Sequence, residues 1–152
     1  MRKPILILLL SGLVLSAACS GVIRHNQDMA AIEAIQLAKI AIISRDYEQA
    51  RARLALRALN LTSVPQFQSV IERIHTSGWP SSIKAVRYEP LPGQRAMRIY
   101  LEGKSAGEHF FYLFVMEGDA DSGYRVLDIF RLKDSIPSSG SIRALPVERT
   151  TD

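Results

Sequence analysis

Four side chains offer acid–base chemistry by type and spacing. Asp128 stands between Val126 and Phe130 in the segment Tyr124–Leu132. On a regular strand these three share a face, so the carboxylate would sit in apolar surroundings with its pKa raised, which makes it the candidate catalytic base. His109, one strand earlier, is the second candidate, and Tyr100 or Tyr112 is a candidate donor to a developing oxyanion. Plainer readings weigh against each. Asp128 can face solvent while Leu127 and Ile129 pack, or pair with Arg125 or Arg131. His109 opens a strand, where exposure is simplest, and the tyrosines are ordinary sheet residues. Trp79, between Gly78 and Pro80, reads as a corner plug rather than a pocket wall.

Counts and spacing exclude other chemistries. His25, His75 and His109 are widely spaced with no i,i+4 pair, so no metal site can be argued from them and no cofactor is expected. Cys19 is the only cysteine, which rules out a disulfide within the chain and any metal site built from Cys. The sequence carries no nucleophile elbow, phosphate-cradling loop or paired-carboxylate motif.

The elements that must position these side chains follow from periodicity. Asp28 is a predicted helix cap, followed at helical spacing by Met29, Ile32, Ile35, Ala38 and Ile42. Ser44-Arg45-Asp46 interrupts. Asp46 can cap a further segment in which Tyr47, Ala50, Leu54 and Leu61 share a face, so 28–60 is either one bent helix or two. Asn60–Ser63 breaks the pattern, and the sequon it contains is incidental. Pro65 suits the first turn of a helix carrying Phe67, Val70, Ile71 and Ile74, which Gly78 and Pro80 end. Beyond Pro80 the period becomes two. Strands are predicted at Ile83–Glu89, Arg95–Glu102, His109–Met116 and Tyr124–Leu132, joined by short turns, with His109–Met116 apolar on both faces as in a central strand. Four such strands form an antiparallel meander. Segment 135–152, with its prolines and serines, reads as a loose tail.

The chain begins Arg2-Lys3, then an apolar stretch to Ala18 interrupted by Ser11 and Ser16, then Cys19. That stretch is the length of a secretory signal and short of the roughly 20 residues that span a bilayer. Ser16-Ala17-Ala18-Cys19 resembles the lipobox of bacterial lipoproteins, although Ser16 stands where a branched aliphatic residue is usual. The resemblance implies cleavage between Ala18 and Cys19 and acylation of Cys19. It also implies a cell-envelope location: the outer membrane facing the periplasm if the source has two membranes, since Ser20 is not Asp. The organisation would be a signal at 1–18, a lipidated tether at 19–27, a domain at 28–134 and the tail. Loss of Arg2 and Lys3 lowers the formal charge from +4 to about +2, which argues against nucleic acid as a partner.

Helices followed by a meander make an α+β plan: N-terminal helices packed on a curved four-stranded antiparallel sheet. Ala38–Ala50, with its Arg45-Asp46-Tyr47 break, and the closing Gly123–Ile129 resemble the nuclear transport factor two-like, or cystatin-like, fold. Tyr124 stands where that family often has Trp. The resemblance implies a cone-shaped pocket, and in some members an isomerase or dehydratase with a base in the cone, the role Asp128 would take. A tetratricopeptide-like unit at 35–59 is the rival, with Asp46–Ala50 resembling the repeat's middle, but no second repeat follows. The leading expectation is a non-enzymatic interaction module that binds the membrane through lipidated Cys19 and a protein partner or a homodimer through its sheet. The alternatives are the small enzyme and an accessory subunit of an envelope assembly.

Overall fold

The computed structural model describes residues 22–146. The expected signal, Cys19 and the cleavage junction after Ala18 lie outside the described residues. Four helices, α1 (Gln27–Ala38), α2 (Tyr47–Arg51), α3 (Leu56–Leu61) and α4 (Val64–Arg73), precede five strands, β1 (Ser82–Pro90), β2 (Ala96–Ser105), β3 (Glu108–Asp119), β4 (Gly123–Leu132) and β5 (Arg143–Ala144). The strands form one antiparallel sheet in the order β4-β3-β2-β1-β5. The fold is α+β, with helices covering the sheet's inner face.

α1 lies across β1, β2, β3 and β4. It begins at Asn26, not Asp28: the Asn26 side chain accepts from the backbone N–H groups of Asp28 and Met29, both at 3.1 Å. Asp28 instead sits in the first turn, where its charge suits the helix N-terminus. Of the predicted stripe, Ile35, Ala38 and Ile42 are buried, but the buried face is shifted away from Met29 and Ile32 toward the alanines. Met29 is exposed, and Ala30, Ala31, Ala34, Ile35, Leu37 and Ala38 are buried. The strands beneath present Met97, Ile99, Phe110, Tyr112, Phe114 and Met116, all fully buried or nearly so, and such bulk admits small residues from the layer above.

The helix then widens into a π-helical turn, Lys39–Ile43, where the Ser44 N–H donates to the Lys39 carbonyl at 2.9 Å. Asp46 caps α2 as expected, accepting from the Gln49 N–H at 3.0 Å. The region read as one helix or two is broken into more pieces. Leu54 leaves α2 to pair with Val126 of β4, and Leu61 is exposed on α3. α4 carries a reciprocal capping box between Ser63 and Gln66 with Pro65 in its first turn, and it buries Phe67 and Ile71.

The sheet has five strands rather than four because the segment expected to be loose supplies β5. Arg143 and Ala144 pair with Tyr88 and Arg87 on the edge of β1, and Leu145 packs against the core. Among the described residues, the buried core lies between Ala30 and Ile129.

Two glycines are dictated by close approach. Gly103 lies beneath Pro80, where a Cβ would come within 2.8 Å of the proline Cβ. Gly118, at φ +129°, faces the Gly123 carbonyl, and a Cβ there would sit 1.9 Å from its oxygen. Gly118→Ala therefore has neither conformation nor space. We expect a loss of about 3 kcal/mol in chemical denaturation, against a near-neutral Gly140→Ala, where nothing lies nearby.

Candidate functional site

The predicted acid–base pair is not assembled. β4 carries a bulge: Asp128 pairs with Val115 and Val126 with Met116, leaving Leu127 as the extra residue. The bulge reverses the alternation. Val126 faces inward, whereas Asp128 and Phe130 face outward and are exposed. The Asp128 carboxylate accepts from the N–H of Ile129 at 2.8 Å, satisfying a backbone donor on an edge strand. His109 is exposed on the outer face and meets Glu102 at 2.7 Å through Nδ1. Val115, the partner of Asp128, lies six residues along β3 from His109, which separates the two candidates by about 20 Å.

The inner face instead gathers a cluster at the end of the sheet near the β2–β3 turn, where Tyr112 of β3 meets residues of α4 and the corner that follows. His75 is buried, with Nδ1 2.6 Å from the Ile71 carbonyl and Nε2 2.9 Å from the Tyr112 hydroxyl. The Ile71 carbonyl fixes Nδ1–H as a donor, and a neutral ring, which burial favours, then accepts from the phenol at Nε2. Trp79 stacks on His75 with centroids 4.2 Å apart, Arg45 lies 4.1 Å from the Trp79 ring, and Arg131 covers Phe110 and Tyr112. Burial lowers the His75 pKa below its ordinary value; the hydrogen bond to the Ile71 carbonyl opposes it in part, and Arg131 and Arg45 add smaller pushes downward. Burial also raises the Tyr112 pKa. Tyr112 is therefore a core hydrogen-bond donor, and Trp79 is the corner plug expected of it. Only the His75-x₃-Trp79 spacing at a helix end hinted at this stack.

The outer face is divided. Two cross-strand rows run from polar on β1 and β2 to apolar on β3 and β4, Lys84–Glu102–Phe111–Leu132 and Arg87–Tyr100–Leu113–Phe130, whereas the next, Glu89–Arg98–Val115–Asp128, ends in a carboxylate. The polar half closes around Glu89, which accepts from Arg98 at 3.0 Å, from Tyr100 at 3.1 Å and from Ser141 of the C-terminal segment. Those donors, Ser141 foremost, hold its pKa below the usual value. Tyr100, a candidate oxyanion donor in the sequence, is buried and committed to Glu89. The apolar half carries Phe111, Leu113, Val115 and Leu132 partly exposed and Phe130 at 45% exposure.

A groove of about 730 Å³ opens at the end of the sheet holding the β1–β2 and β3–β4 turns. The β3–β4 turn is fastened by Asp119. Its carboxylate receives Arg95 at 2.6 Å and the N–H and hydroxyl of Ser122, both at 2.8 Å, which hold its pKa far below the usual carboxylate range. The sequence offered Asp119 only as part of a polar turn. Compared with protein-family profiles, curated proteins and solved structures, the chain matches none.

Three outcomes follow. A histidine with a depressed folded-state pKa binds fewer protons than the unfolded chain, so its stability contribution is complete above about pH 6.5 and is lost as pH falls below that value. Thermal melts should drop between pH 7.5 and 5.5, and Tyr112→Phe should cost about 1–3 kcal/mol by leaving Nε2 unpaired. Asp128→Asn, on the outer face, should change stability by no more than about 0.5 kcal/mol in the same melts.

Proposed function

We propose that this chain is a lipid-anchored lipoprotein of the cell envelope whose domain is a non-enzymatic interaction module, docking a protein through the apolar half of the sheet's outer face. The observation that carries the docking reading is the row of partly exposed apolar residues on β3 and β4, ending in Phe130, on the sheet face turned away from the buried core. Uncovered apolar surface of this kind favours association. A second copy is the simplest occupant, because two equivalent sheets can pack face to face with aligned strands. An accessory role in an envelope assembly is compatible with the same face. The acid–base alternative finds no support in the geometry, since Asp128 and His109 share no pocket. The anchor reading rests on the lipobox resemblance at Ser16–Cys19.

The anchor predicts incorporation of labelled fatty acid into the full chain and its loss in Cys19→Ala. Incorporation that persists in that variant would remove it. For the docking face, sedimentation of the chain from Val22 onward should show self-association, weakened on the order of tenfold by Phe130→Lys. Monomeric behaviour at high concentration, together with no photo-crosslink from position 130 in membranes, would overturn the docking reading.

A further inference from the structure

The chain enters the domain at one end of the sheet, fastened by backbone and side chain. The N–H of Ala120 donates to the Arg24 carbonyl at 2.8 Å, Arg24 pairs with Asp121, and the N–H of Asn26 donates to the Tyr124 hydroxyl at 3.0 Å. These contacts hold residues 24–26 against the β3–β4 turn. Four residues lie between Cys19 and Arg24, five steps with a reach of at most about 17 Å fully extended. An acyl chain on Cys19 would therefore hold the turn end of the sheet within that distance of the bilayer. The His75–Trp79 end would point away.

The surface so placed is the groove beyond β1 and β3. Its walls carry Arg57, Arg95 and Arg125 together with Leu56, Leu91 and Leu127. Leu56 is 70% exposed although it sits on a helix, and it stands at the rim beside Arg57. Glu117 is the one carboxylate among the lining residues, and it pairs with Arg57 at 3.1 Å. Arg95 gives its Nε to Asp119, and Arg125 donates to the Ala52 carbonyl at 3.3 Å. Each guanidinium has five donors, so these bonds leave N–H groups for phosphate oxygens. Guanidinium groups beside one exposed leucine, Leu56, and two half-buried ones suit the boundary between headgroups and acyl chains, where leucine enters the apolar layer and arginine stays with the phosphates. A soluble partner would also have to reach a groove that the tether holds close to the bilayer, so the position of the tether favours lipid over protein here.

We infer that the groove formed by α3, the β1–β2 turn and the start of β4 is a second membrane contact, docking on anionic phospholipid and orienting the domain upright on its anchor. The inference rests on the reading of Cys19 as the anchor. A diacylglyceryl group on Cys19 would already retain the chain at the bilayer, so the basic contact would set its orientation. Upright docking leaves the outer face of the sheet perpendicular to the bilayer and open to its partner.

A test separates the contact from the anchor by replacing the acyl chain. The chain from Val22 to Asp152, which includes every core residue described, is given an N-terminal hexahistidine and tethered to vesicles through nickel-chelating lipid. A fluorophore is placed on Gln94→Cys, at the groove, or on Ser77→Cys, at the far end, each the only cysteine in its chain. Spin-labelled lipid should quench the groove probe severalfold more on vesicles containing phosphatidylglycerol than on phosphatidylcholine alone. The far probe should stay unquenched on both. The excess should disappear in high salt and in the double variant Arg57→Glu, Arg125→Glu, and it should fall in Leu56→Asp. Equal quenching on the two vesicles, or an excess that survives the arginine substitutions, would overturn the proposal. Because the tag supplies the tether, failure here is distinct from failure of fatty-acid labelling at Cys19.

Discussion

The structure depends on a size constraint between two layers. The inner face of the sheet is loaded with Met97, Ile99, Leu101, Phe110, Tyr112, Phe114 and Met116, side by side across β2 and β3. A helix can lie across such a surface only if its own contact face is nearly smooth. α1 and its π-helical extension supply that face with Ala30, Ala31, Ala34, Ala38 and Ala41, each essentially without exposure. Large residues on one layer and small on the other give close packing without voids, and close packing is what makes the arrangement specific. The positions of α2, α3 and α4 follow, because they continue the cover toward the edge at β4.

A second constraint is the bulge at Leu127. One extra residue exchanges the two faces of β4 partway along its length. It keeps Tyr124 and Val126 in the core and then returns Ile129 to it. The same exchange turns Asp128 and Phe130 outward. The inward charge expected at 128 is therefore absent, and the inner face closes with a neutral His75 hydrogen-bonded to Tyr112. This solution satisfies both ring nitrogens of His75 and the Tyr112 hydroxyl. What remains exposed and apolar lies on the opposite side of the sheet.

The two ends of the sheet differ in kind. One is sealed by stacked rings, Trp79 on His75, with Arg45 and Arg131 laid over aromatic faces. The other is held by polar fastenings: Asp119 with Arg95 and Ser122, and the N-terminal segment on the β3–β4 turn. The polar fastenings lie beside the groove, so the end that receives the chain is also the end with cationic and leucine surface.

Much of the fold was legible without coordinates. Change of period from helical to alternating marks the order of elements, because that period reports which side chains meet a common surface. Asp46, Ser63 and Pro65 mark helix starts by local hydrogen bonding and fixed φ, which need no tertiary partner. The anchor reading likewise belongs to the sequence alone, resting on a contiguous motif at Ser16–Cys19. Local pattern could not decide register or face. A bulge depends on how β4 meets β3, so Asp128 reads as inward from sequence and stands outward in the fold. The alanine face of α1 is set by the bulk beneath it, which outweighs the spacing of Met29 and Ile32. β5 forms because the free edge of β1 offers unpaired backbone groups to a tail with no strand signal of its own. The pairing of His75 with Tyr112, 37 residues on, exists only where a helix end and a central strand are brought together. Sequence determined the elements and their order, through interactions each segment makes with itself. Tertiary structure decided which side chains became neighbours, because that depends on the packing of whole layers.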